Sequence, residues 1–146
     1  MKSTDILQRV FGNIEIYSLE QQNSAYEGCL FYSKTKDIII RTRLAKKTSK
    51  KAGYFVTFWE KDAQANNTPF KAEDSPELLA VVIDDGNKKG IFTIPKEIAV
   101  EKQILSTADQ NGKMAMRFYP VWCHNLNQTA LQTQKWQLHY FKNLSE

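Results

Sequence analysis

Hydrophobic positions near the start of the chain recur with a helical period. Ile6, Leu7, Val10 and Phe11 fall at i, i+1, i+4 and i+5 before Gly12-Asn13 breaks the run, which predicts a first helix. From Ile14 to Ala25 the spacing predicts a second helix, with Ile16 and Leu19 toward the core and Glu15, Glu20 and Gln21 in water. At Gly28 the period shortens. Leu30-Phe31-Tyr32 and Ile38-Ile39-Ile40 are β-favouring runs separated by a polar stretch, the pattern of a hairpin. Tyr54-Phe55-Val56-Thr57-Phe58-Trp59 carries apolar residues on both faces and predicts a central strand covered on each side.

Residues 61–76, rich in Asn, Asp, Ala and Pro, predict a long loop. Leu78 to Ile83 predicts a fourth strand, Asp84-Asp85-Gly86-Asn87 a tight turn, and Gly90 to Ile94 a returning fifth. Pro95 suits the first turn of a helix over 96–104. Met114 to Tyr119 predicts a sixth strand stopped by Pro120, and Asn127 can cap a last helix reaching about Phe141. On that helix Leu131, Gln134, Leu138 and Phe141 form one stripe, with Thr133, Trp136 and Tyr140 nearly opposite. Such a helix is sandwiched in the core or turns an aromatic face to a site. The order predicts a mixed α/β (α+β) fold, one domain over residues 1–146, with a central mixed sheet of about five to six strands flanked by helices.

Composition narrows the class. With 42% hydrophobic and 25% charged residues the chain is an ordinary globular protein, and no apolar run approaches the roughly 20 residues that cross a bilayer. Membrane partners are therefore not expected. The start lacks the apolar core and cleavage site of a signal peptide, so the expected location is cytoplasmic, where Cys29 and Cys123 form no disulfide. Cys123, His124 and His139 lack the paired spacing of structural zinc, and no metal or cofactor site is predicted. Neither a Gly-rich phosphate loop nor a nucleophile elbow nor a supported Ser-His-Asp set occurs, so no catalytic residue is assigned.

Charge is unevenly placed. Arg41, Arg43, Lys46, Lys47, Lys50 and Lys51 put six positive residues into the stretch 41–51 with no acid, and of the net +4 this leaves −2 for the rest of the chain. Such a patch suits a phosphate backbone, whose neutralisation releases counterions; a solvated loop is the alternative. A second constellation runs from Arg117 through Phe118, Tyr119 and Trp122 to His124, then to Gln134, Trp136 and Gln137. Aromatic faces can stack on bases, and amides can pair with base edges. A third is acidic, with Glu27, Asp37, Glu60, Asp62, Asp84 and Asp85. Glu60 beside Lys61, and the pair Asp84-Asp85, are the candidates for a metal-dependent nuclease, but no strand carries a Glu-x-Lys pairing.

Four ordered strings resemble the MepB family of bacteria: Arg41 to Trp59, Gly90 to Lys96, Gly112 to Trp122, and Thr133 to Gln137 with Tyr140-Phe141. The resemblance covers about Tyr26 to Phe141. It implies a restriction-endonuclease-like sheet, a link to nucleic acid, and an operon shared with a multidrug efflux pump and its repressor. The family's motif residues correspond here to Arg41, Lys46, Lys51, Gly53, Lys96, Lys113, Arg117, Tyr119, Trp122, Gln134, Trp136 and Gln137. Ser49 departs from the family string, in which a proline commonly follows the threonine. Together these readings predict a nucleic-acid-binding protein, for DNA or RNA, on a nuclease-like scaffold. The stretch 41–51 and Arg117 would meet phosphate, Trp122 and Trp136 would stack, and Lys96, Lys113, Tyr119, Gln134 and Gln137 complete the expected nucleic-acid-binding set. A metal-dependent nuclease or phosphodiesterase, or a protein-interaction module tied to efflux, are the alternatives.

Overall fold

The computed structural model describes residues 1–146. Helix α1 (Thr4–Phe11) forms where the helical period predicts it and buries Ile6, Leu7 and Phe11. The predicted second helix does not form. Ile14–Leu19 is instead strand β1, at the edge of a sheet, and Gln21–Tyr26 is a 3₁₀ turn. Strand β2 (Cys29–Ser33) pairs with β1 antiparallel, and that ladder satisfies backbone groups that a helix would have paired internally. Branched Ile14 and Ile16 favour the extended state. The apolar residues read as core-facing, Ile16 and Leu19, stand exposed with Tyr17.

Strand β3 (Ile38–Leu44) completes the predicted hairpin with β2. Next come β4 (Lys46–Lys47), β5 (Tyr54–Thr57), β6 (Trp59–Lys61) and β7 (Asn67–Pro69), then β8 (Leu78–Asp85) and β9 (Lys88–Pro95). Helix α2 (Lys96–Glu101) follows Pro95, and β10 (Ala115–Phe118), α3 (Gln128–Gln137) and β11 (Phe141–Asn143) close the chain. Asn127 caps α3 by accepting from the Ala130 N–H at 2.8 Å. The helix stops at Gln137 because residues 138–140 tighten into a 3₁₀ turn that delivers β11 to the sheet edge. The segment 61–76 holds the β6–β7 hairpin and a short 3₁₀ turn rather than one open loop.

Six strands form the main sheet in the order β1-β2-β3-β8-β9-β11; β3 and β8 run parallel, and the other neighbours antiparallel. Strand β5, predicted as the central strand, lies instead in a three-stranded sheet, β10-β5-β4. The reason is visible in the packing. Val56 and Phe58 join Phe118 of β10 against Val81, Ile83, Phe92 and Ile94, so the small sheet covers one face of the large one. On the other face Ala80, Val82 and Ile91 meet α1 and β2 through Leu7, Phe11, Cys29 and Phe31. Strand β8 is thus the doubly covered strand, its alternate residues serving two cores, which a continuous apolar run such as Leu79 to Ile83 requires.

Candidate nucleic-acid interface

The β4–β5 hairpin sets the site. Lys46 opposes Phe55 and Lys47 opposes Tyr54, and the connecting loop carries exposed Lys50 and Lys51. Gly53, at φ +83°, closes the loop in a conformation that a side chain resists, and a Cβ there would also meet the Tyr119 ring. Arg117 stands opposite Phe55 across β10 and β5, with its guanidinium carbon 5.4 Å from that ring. It donates to Thr48 Oγ1 at 2.8 Å and to the Ala52 carbonyl at 3.3 Å, tying the loop to β10.

Two clefts flank this loop and share Lys51. Lys50, Lys51, Arg117, Tyr119, Asn125 and Asn127 line the first, with no acidic side chain among them. Lys47, Lys51, Lys88, Tyr54, Asp85 and Trp122 line the second. In the second, Trp122 Nε1 donates to the Tyr54 hydroxyl at 3.0 Å, and that hydroxyl donates to Asp85 Oδ2 at 2.7 Å. Burial, and then the bond to Asp85, push the Tyr54 phenol above its usual range, so it stays a donor. Half-buried Cys123 lies beside them; burial raises its thiol, and the Gly53 N–H bond opposes this in part.

Several residues predicted to meet nucleic acid do structural work instead. Arg41 and Arg43 leave β3 on one face, as alternation requires, but that face is buried. Arg43 has no exposed surface; it donates to Glu20 Oε1 at 2.7 Å, Asn23 Oδ1 at 2.7 Å and the Thr57 carbonyl at 2.9 Å. Arg41 donates to both Glu20 oxygens at 3.1 Å and to Ser75, with its guanidinium 3.6 Å above Phe70. Neither is available to phosphate. Gln137 is also fully buried, accepting from the Tyr119 N–H and donating to the Arg117 carbonyl, each at 2.9 Å. Gln134 donates to the carbonyls of Pro120 and Cys123. Trp136 packs on the core with Lys102 above its ring. Lys96 stands at a small apolar pocket with Arg41, and exposed Lys113 lines neither cleft. Lys46 is exposed, with its ammonium 5.4 Å from the Tyr26 ring centre.

What the sequence reading missed is Lys88, Tyr54 and Asn125 as cleft residues, and Glu20 as the partner of both arginines. Lys88 follows the Asp-Asp-Gly-Asn turn, a position that the hairpin register brings beside Asp85. No three His, Cys, Asp or Glu side chains converge as a metal-ligand group, although burial, and after it the nearby Asp74 and Glu20, push the Glu60 carboxyl above its usual range. Glu27 instead accepts from the Lys2 and Ser3 N–H groups and from Ser3 Oγ, and Asp37 accepts from the Tyr32 hydroxyl.

Fold and clefts together define a single-domain mixed α/β protein that presents a cationic hairpin beside aromatic residues. The chain belongs to the MepB-like family, whose model matches residues 20–143. It is similar to the crystal structure of MepB, at 42% identity and a TM-score of 0.87, over 100% of this chain and 99% of that one. No curated protein matches the chain. No helix is long and apolar enough to cross a membrane.

Proposed function

We propose that this protein binds nucleic acid, DNA or RNA, by holding phosphates along the β4–β5 loop and its two flanking clefts. One observation carries the reading. The first cleft brings Lys50, Lys51 and the anchored Arg117 together with Tyr119 and Asn125 and contains no acid. Arg117 supplies a pre-ordered fork for a phosphate oxygen, the lysines supply field, and the Tyr119 ring and the two asparagines offer a stacking edge and amides. The second cleft extends the track through Lys47 and Lys88. The proposal rests on these clefts and not on the nuclease-like scaffold that the family resemblance implied. We take the activity to be cytoplasmic, which suits two free cysteines.

Fluorescence anisotropy with labelled single-stranded DNA, duplex DNA and RNA, between about 50 and 200 mM salt, tests it. Engagement of all five cations gives a log–log slope of about −3.5 for single strands, at about 0.7 per phosphate. A flat profile, or no binding at low salt, overturns the reading. The same samples incubated with Mg²⁺ or Mn²⁺ should keep their length, because no three ligating side chains converge on one point; cleavage abolished by Glu60→Ala or Asp84→Ala in a folded protein would establish the nuclease instead.

A further inference from the structure

Asp85 is the one acidic side chain that lines either cleft. A carboxylate repels phosphate, so its presence in a phosphate-binding track calls for a different partner. Its geometry is fixed from one side only. Because an indole N–H can only donate, Trp122 Nε1 must use the Tyr54 oxygen as acceptor, and the Tyr54 hydrogen is thereby aimed at Asp85 Oδ2. Lys47 approaches the same oxygen at 3.8 Å, a long contact from a side chain that is 73% exposed and contributes little as an ion pair. No protein donor occupies Oδ1, and the Asp85 side chain is 36% exposed. The result is a held carboxylate with one oxygen free, among lysines, beside an indole.

Nucleobases differ in what they offer such an oxygen. Cytosine, adenine and guanine carry an exocyclic amino group that donates; uracil and thymine place a carbonyl at the position where cytosine has its amine. A carboxylate accepts from cytosine N4 and is repelled by uracil O4. Cytosine and uracil have nearly the same size and shape and differ at two neighbouring positions, where cytosine offers a ring-nitrogen acceptor beside its amino donor and uracil an N–H donor beside its carbonyl. At the exocyclic position only cytosine gives a carboxylate a hydrogen to accept. Lys51 and Lys88 in the same cleft can hold the flanking phosphates or the base's O2 acceptor. We propose that Asp85 reads the exocyclic amino group of a base seated in the second cleft, so that the protein takes cytosine over uracil. This rests on the nucleic-acid-binding reading above and adds base discrimination to it.

The test compares labelled oligo(dC) with oligo(dU), at one salt concentration and slightly alkaline pH, for the unchanged protein and for Asp85→Asn and Asp84→Asn. Both substitutions remove one negative charge. Only the first replaces the acceptor with an amide that can also donate to uracil O4, since Asp84, the next residue along β8, points to the opposite face of the strand. The unchanged protein and Asp84→Asn should favour oligo(dC) about tenfold, and Asp85→Asn should bring the two within about twofold. Should Asp85→Asn melt early, Asp85→Ala read in the same way replaces it. Equal affinity of the unchanged protein for both oligomers, or a preference that survives loss of the Asp85 carboxylate, overturns the inference while nucleic-acid binding stands. Failure to bind either oligomer overturns this inference, and failure to bind duplex DNA and RNA as well overturns the reading beneath it.

Discussion

The Arg43 guanidinium meets the Glu20 carboxylate at 2.7 Å where Arg43 has no contact with solvent. Burial pushes the Arg43 guanidinium below its usual range, and Glu20 beside it is the main force keeping the charge. Glu20 also holds Arg41, so one carboxylate pairs with two buried cations and joins the turn after β1 to β3. Removing that carboxylate strands both. Glu20→Gln should cost about 3–5 kcal/mol, whereas Glu15→Gln, which breaks an exposed pair with Lys34, should stay within about 0.5 kcal/mol. Urea denaturation of the two variants measures the contrast, and equal losses would refute it.

Gln137 joins helix α3 to β10 without a solvent contact. Its amide oxygen takes the Tyr119 N–H and its Nε2 gives to the Arg117 carbonyl, so both backbone groups next to the first cleft depend on one side chain. Gln137→Leu keeps most of the volume but leaves two buried polar groups unpaired. We expect a loss of about 1–3 kcal/mol per orphaned group, seen as a lower melting temperature, together with weaker nucleic-acid binding as Arg117 loosens. A variant that melts normally would show that water replaces both bonds.

Much of the main sheet was legible because its strands carry their own signals. The Leu79 to Ile83 run, the Asp-Asp-Gly-Asn turn and the Asn127 cap are local, and each lies where the pattern places it. Strand β1 was not legible. Ile16 and Leu19 satisfy a helical spacing and Ile14 and Ile16 an extended one, and only pairing with β2 decides between them. The arginines failed for a related reason. Alternation correctly puts Arg41 and Arg43 on one face, but whether that face is wet depends on Glu20, Asn23 and Phe70, which arrive from distant segments. Lys50 and Lys51 stand exposed, as a loop tip leaves cations in solvent wherever the rest of the chain goes, and half-buried Arg117 reaches that loop from an edge strand.

The N-terminus is pinned by a group whose titration can be followed. Burial works to raise the Glu27 carboxyl, but bonds from Ser3 N–H, Ser3 Oγ and Lys2 N–H outweigh it and hold it below the ordinary value of 4.5. A depressed folded value means that this stabilisation is present in full above the unfolded carboxylate range and fades as pH falls through the folded one. Glu27→Gln should therefore lower the melting temperature by a few degrees at neutral pH, and the gap from the unchanged protein should close below about pH 4. A gap that stays constant with pH would mean that the charge is not what holds the terminus.

Arg117 and Lys50 line the same cleft but differ in how much freedom binding must remove. Arg117 is already anchored by Thr48 Oγ1, the Ala52 carbonyl and the Phe55 ring, whereas Lys50 extends from an exposed loop. Ordering a free lysine costs about 1.5–2 kcal/mol of side-chain entropy, which offsets most of what one phosphate contact returns. Arg117→Ala also releases the loop that carries Lys50 and Lys51. It should weaken binding about tenfold or more and Lys50→Ala about twofold, while both flatten the salt slope. Equal effects in two variants of unchanged melting temperature would remove Arg117 from the centre of the interface and leave a diffuse cationic field as the source of affinity.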